Sequence, residues 1–168
     1  MSTAGLNSLP FPLTAWFACD CAARVLGVFE RREPNDDRPR IAVDTMRRYL
    51  LGLAQAAEVT VARAETEASF WSLPRRDVAA AAARATFQAA HVVTNPPWTE
   101  YHLAAQAARF VSDFEGPWQQ KRLVQLYEIT RAVEVNELIQ QYAHQPTPVQ
   151  LSIIADAVGE WGYEPVEL

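Results

Sequence analysis

From Thr14 to Arg31 the chain is apolar at almost every position, and its polar residues Asp20, Arg24 and Arg31 share one stripe of a 3.6-residue helix. The spacing predicts a mostly buried helix, opened by Thr14 as N-cap, with a single wet face. On that face Asp20 and Arg24 form an acid-then-base pair at i,i+4, which contributes about 0.2–0.5 kcal/mol when exposed. Ile41, Val43, Met46, Tyr49 and Leu50 predict a second helix running towards Gly52. A third is expected over about 54–71, with Val61, Ala64, Ala68 and Trp71 as its apolar stripe and Leu73-Pro74 as its end.

The alanine run around AAAAARATFQAAH predicts a fourth helix over about 76–94, whose small side chains allow neighbouring helices to approach closely. After the NPPWT turn, Leu103, Ala104, Ala107, Ala108 and Val111 mark one side of a fifth helix. Gly116-Pro117 reads as the next break. A long amphipathic helix is expected from Trp118 to Ala143, with Leu123, Leu126, Tyr127, Thr130, Val133, Leu138 and Ile139 inward. Pro146 and Pro148 then introduce a last helix with a stripe of Val149, Ile153, Ile154, Ala157, Val158 and Trp161. No segment alternates with period two for long enough to read as a strand. The expected fold is all-α: a compact multi-helix bundle of about seven helices with no significant sheet.

Composition fits that picture. The chain has 168 residues, 49% of them hydrophobic, and only 6 glycines. One domain is expected over 1–168, since a chain of this length buries about 70% of its unfolded surface. Net charge is −5, and all but one of the 15 basic residues is arginine. Acids and bases are interspersed, so no basic stripe offers a footprint for nucleic acid, and no nucleic-acid partner is expected. No apolar run reaches membrane-spanning length, and MSTAGLNSLPFPLTAWFACD lacks the basic start and unbroken apolar stretch of a secretory signal. The expected location is the cytoplasm, without a membrane partner.

Candidate chemistry concentrates in few places. Cys19 and Cys21 lie about 200° apart around a helix, which suits small buried hydrophobes better than a disulfide or a shared metal. In EPNDDRPR, Pro34, Asn35 and Asp36 are turn formers and Asp37 fits an N-cap, with Pro39 in the first turn. Arg38 and Arg40 are placed to neutralise Asp36 and Asp37, which favours a salt-bridged capping loop over a general acid. His91 shares a polar stripe with Arg84, Gln88 and Asn95, and His102 shares one with Gln106, Arg109 and Asp113. In an antiparallel hairpin the two histidines face each other and begin a metal site, but spacing supplies no third ligand. No phosphate loop, nucleophile elbow or HExxH is present, so no catalytic constellation and no cofactor is expected. Trp71, Trp98, Trp118 and Trp161 fall near helix ends, where core packing competes with an interface role.

The segments ACDCAARVL and NDDRPRIAV, followed by a helix ending in Leu-Gly, resemble the Imm5-like immunity proteins of bacterial polymorphic toxin systems. AAH at Ala89–His91, EYHLAAQAA at Glu100–Ala108 and PWQQKRL at Pro117–Leu123 are similar to later blocks of that pattern. The resemblance extends over about 15–125. It implies a helical core over 14–125, onto which 126–168 packs as a C-terminal extension. It further implies a non-enzymatic protein that binds and neutralises a cognate toxin. Carried onto this chain, its signature falls on Cys19, Asp20, Cys21, Arg24, Asp36, Asp37, Arg38, Pro39, Arg40, His91 and His102. The exposed turn 36–40 and the stripe of His91 and His102 are candidate contact residues. The acidic net charge would steer the protein towards a basic toxin. Two other readings stand beside this one: a homodimer built on the two C-terminal amphipathic helices, and a metal-binding protein built on His91 and His102.

Overall fold

The computed structural model describes residues 13–95, 101–112 and 115–130. Within them the chain forms six α-helices and no strand: α1 (Leu13–Arg32), α2 (Arg38–Leu50), α3 (Ala56–Trp71), α4 (Val78–Thr94), α5 (Tyr101–Val111) and α6 (Glu115–Thr130). They match the first six expected helices. The seventh expected helix, the second half of the sixth and the homodimer surface built on them lie outside the described residues.

α1 is apolar nearly all round and is accordingly a core helix, with every residue from Leu13 to Leu26 buried. The single wet face expected of it shrinks to its C-terminal end, where Arg31 is exposed, because Asp20 and Arg24 are buried as well. α4 packs against α1 on one side and between α3 and α5 on the other. Its wall facing the core is built from Ala79, Ala80, Ala82, Ala83, Ala85, Ala89 and Ala90, all buried. Alanine needs no room beyond its methyl group, so neighbouring helices close directly onto α4. Replacing Ala85 with leucine is therefore expected to cost about 1–3 kcal/mol through overpacking. Equilibrium urea unfolding measures it as a lower midpoint at unchanged slope.

The helix ends follow local chemistry. Asp77 caps α4 by accepting from the Ala79 backbone N–H at 2.9 Å. At the end of α2, Gly52 takes φ 78°, while Gly52 N–H donates to Tyr49 O and Leu53 N–H to Arg48 O. This is a Schellman motif, and glycine enters its left-handed position without strain. Gly116-Pro117 does not precede α6 but lies in its first turn, where proline's missing N–H has no partner to lose.

α3 reverses expectation. Its buried residues are Val59, Ala62, Thr66, Ser69 and Phe70, whereas Val61, Ala64, Ala68 and Trp71 are exposed. The helical period was legible there, but α3 carries apolar residues on two opposite faces. Only packing against α2 and α4 decides which is used.

Candidate partner-binding groove

The signature residues of α1 do not form a surface. Arg24, one turn beyond Asp20, turns away from it and grips Glu115 of α6 through two hydrogen bonds of 2.8 Å. The Trp118 ring covers the same guanidinium, 4.3 Å from it. Asp20 instead accepts from Arg122 Nε at 2.8 Å. Both acids are fully buried, so the expected exposed Asp20–Arg24 pair is replaced by two buried ionic ties between α1 and α6. Gln119 ties α6 to α5 as well: it accepts from Arg109 at 2.7 Å and donates to Ala105 O at 3.0 Å.

The two ties differ in completeness. The Arg24–Glu115 fork uses both carboxylate oxygens, whereas Asp20 Oδ1 and Arg122 Nη2 are buried without a hydrogen-bond partner. Burial therefore dominates at Asp20, pushing its carboxyl up to about 6 against the pull of Arg122. With a folded value near 6 and an ordinary value of 3.8, the native state holds this proton more tightly than the unfolded chain. The resulting stability is present in full below about 3.8 and is lost as pH rises through about 6. Wild type is thus expected to gain about 2 kcal/mol over Asp20→Asn between pH 7.5 and pH 4, read from urea midpoints at both values.

The turn before α2 is a self-satisfied knot. Asp36 takes a two-pronged bond from Arg38 at 2.8 and 2.7 Å, and also accepts from the Arg38 backbone N–H at 3.2 Å. These bonds, with Arg38 the largest contributor, hold the Asp36 carboxyl down at about 2. Asp37 occupies the N-cap position as expected, but its side chain makes no cap bond. Arg40 neutralises neither aspartate, and pairs with Glu30 of α1 instead.

Cys19 and Cys21 are free and buried. Burial pushes the Cys19 thiol up to about 12 and raises Cys21 well above its ordinary value, so neither is a nucleophile at neutral pH. Among the described residues, no group of three or more His, Cys, Asp or Glu could hold a metal ion.

What the surface does offer is a groove along the outer face of α4. Val78, Ala81 and Arg84 floor one end, between Phe70 of α3 and Phe110 of α5, in a cavity of about 280 Å³. Phe87, Gln88 and His91 floor the other, between Arg63 of α3 and Leu103 of α5, in one of about 200 Å³. The two cavities place α3 and α5 antiparallel to α4, which is the hairpin expected across NPPWT. His91 is a groove residue, and His102 lies exposed on α5 beside Leu103.

Among the described residues, Arg63, Arg75, Arg76 and Arg84 border this groove against one acid, Asp77, whose carboxylate is already engaged by Arg32 at 3.2 Å. Arg84 sits 6.0 Å from the Phe70 ring, and Arg75 sits 5.4 Å from the ring of Trp71 just outside. Phe110 is 80% exposed at the rim. Exposed aromatics interleaved with arginine are the residue types that concentrate binding energy at protein interfaces. Phe110 was legible in principle, as an aromatic on the polar side of α5 next to Arg109. The arginines were not, because three different elements bring them together.

The chain matches the family described as "Imm-5 like putative immunity protein" over residues 12–108. The match ends within α5, so the PWQQKRL segment and α6 lie beyond it. No curated protein and no solved structure matches the chain.

Proposed function

The chain belongs to the Imm-5 like putative immunity protein family, and on that premise we propose that it is a non-enzymatic binder that neutralises a cognate toxin inside the cell that makes it. The family match over more than half of the chain carries this reading. The α4 groove supports it by supplying what a binder needs: concave apolar cavities, an exposed aromatic anchor in Phe110, and directional arginines on α3, on α4 and on the connection between them. It also changes the expected electrostatics. Net charge acts at a distance, but a groove bordered by four arginines meets carboxylates or other acceptors at contact. The toxin surface that fills it is therefore locally acidic even where the toxin as a whole is basic.

The turn 36–40 is the weaker contact candidate, since Asp36 and Arg38 already satisfy each other and offer a partner little unspent hydrogen-bonding capacity. The described helices include none long and apolar enough to cross a membrane, in keeping with action in the cytoplasm. Affinity purification of the tagged protein from its own cells, read by mass spectrometry, tests the reading. A stoichiometric toxin-domain protein is the expected result. A metabolic enzyme or nucleic acid recovered in its place would contradict it.

A further inference from the structure

The two cavities of the α4 groove repeat one spacing on all three of its helices. Arg63 and Phe70 on α3, Arg84 and His91 on α4, and Leu103 and Phe110 on α5 are each seven residues apart, and each pair gives one member to either cavity. Ala81 and Gln88 on the floor repeat the interval. Seven residues advance a helix by about 10.5 Å and return the side chain to nearly the same face. An occupant of both cavities must therefore present two side chains on one face about 10.5 Å apart. A helix does so with residues i and i+7. An extended strand sets its same-face residues about 6.8 or 13.6 Å apart, and misses the spacing.

The groove is cationic in both cavities and apolar between them. Arg63 Nε is buried without a hydrogen-bond partner, and an incoming acceptor would relieve that unsatisfied donor. In the other cavity Arg75, Arg76 and Arg84 make no ion pair among the described residues. Arg84 and Arg75 lie over the Phe70 and Trp71 rings, contacts that use the guanidinium faces and leave N–H edges to an acceptor. Two acids stand nearby. Asp77 is engaged by Arg32, and Glu67 falls between Arg63 and Phe70 on α3 but lines neither cavity. Glu67 repels a third acid set midway, where Phe70 of one cavity and Phe87 of the other meet edge to face at 5.4 Å.

Resting on the reading of this groove as the partner-binding site, we infer that its occupant is a single helix of the toxin, with acidic residues at i and i+7 and apolar residues at i+3 and i+4. The acids meet Arg84 and Arg63, one in each cavity, and the apolar pair covers the aromatic rings between. A second copy of this chain suits the groove poorly. Its own heptad-spaced acids on α3 are already engaged: Glu58 accepts from the Gln55 backbone N–H at 2.7 Å, and Glu65 lies in the field of Arg38.

The test uses the whole protein and a labelled peptide about three heptads long, with glutamate at i and i+7, leucine at i+3 and i+4, and alanine and glutamine elsewhere. Fluorescence anisotropy is expected to show binding. Exchanging the second glutamate with the residue at i+5 keeps the composition but turns the acid about 140° from the first. That peptide is expected to bind at least about tenfold more weakly, and so is one with a central proline, which breaks a helix but not an extended chain. On the protein, Arg63→Gln and Arg84→Gln are each expected to weaken binding about tenfold. Arg48→Gln on α2, an equal change of charge outside the groove, is expected to leave it unchanged, with thermal unfolding confirming the fold of all three variants. No binding, equal binding of the exchanged or proline peptide, or equal losses at Arg48 and Arg84 would overturn the inference. So would a dimer in light scattering that Phe110→Ala dissociates, since a second copy would then be the occupant. Toxin capture without peptide binding removes the helix and leaves the immunity reading standing, whereas peptide binding without toxin capture does the reverse.

Discussion

Replacing Glu115 with alanine is expected to cost about 3–5 kcal/mol of stability, the largest effect of any single substitution considered for this protein. Arg24 would keep its charge in a site where it is only 8% exposed, under the Trp118 ring, and its Nε and Nη2 donors would lose the carboxylate that receives them. The cost comes from taking a carboxylate away from a buried guanidinium, and not from the intrinsic strength of the pair. Removing both charges together therefore behaves differently. Arg24→Met/Glu115→Leu refills similar volume with apolar groups, and is expected to return to within about 1 kcal/mol of wild type. The double-mutant cycle by urea unfolding would then show a coupling of more than about 2 kcal/mol. Additive losses would mean that solvent reaches this site.

The second large effect is on binding. Phe110→Ala and Arg84→Glu are each expected to weaken partner affinity by at least about 2 kcal/mol, roughly thirtyfold, as groove anchors of an interface. Phe110 is mostly solvent-exposed in the free protein, so its loss is expected to move stability by no more than about 0.5 kcal/mol. Arg84 stacks on Phe70 without an ion pair in the described contacts, and charge reversal there turns attraction for an acidic surface into repulsion. Asp37→Ala, on the exposed turn before α2, serves as the comparison: its side chain makes no cap bond and it lies outside the groove. Titration calorimetry with the purified partner separates the two classes. Equal losses at Asp37 and Phe110 would place the contact away from the groove.

These two predictions also mark where local sequence reading succeeds and where it stops. The α4 alanines and the Gly52 helix end lie near their determinants, so helical period and end chemistry reveal them, whereas Asp77, the N-cap of α4, is missed because that helix is expected from about 76. Asp20 and Arg24 were equally visible as a pair, yet their real partners lie 102 and 91 residues away. An i,i+4 spacing is permission for a contact, and a better acid arriving from α6 overrides it. α3 fails for another reason. Periodicity identifies a helix, but with apolar residues at Val59 and Ala62 on one face and Val61 and Ala64 on the other, it cannot say which face packs. The groove is the least legible of all, since its arginines come from α3, the α3–α4 connection and α4.

The buried ties carry a consequence for how the family region is stabilised. Glu115 and Arg122 lie beyond the matched residues 12–108, while Asp20 and Arg24 lie within them. α6 thus neutralises charges that belong to the family core, and the groove helices α4 and α5 rest on the α1 surface held by those ties. A substitution at Glu115 would accordingly weaken partner binding indirectly, through loss of folded protein, with the affinity of the remaining folded fraction unchanged.

The central claim is protection against a toxin, and growth rescue tests it most directly. The toxin-domain protein captured by affinity purification would be induced in a sensitive host carrying wild type, Phe110→Ala or no copy of this protein. The account predicts that wild type restores growth and that Phe110→Ala, at equal soluble level, protects far less. Cells that die equally with and without wild type would contradict it.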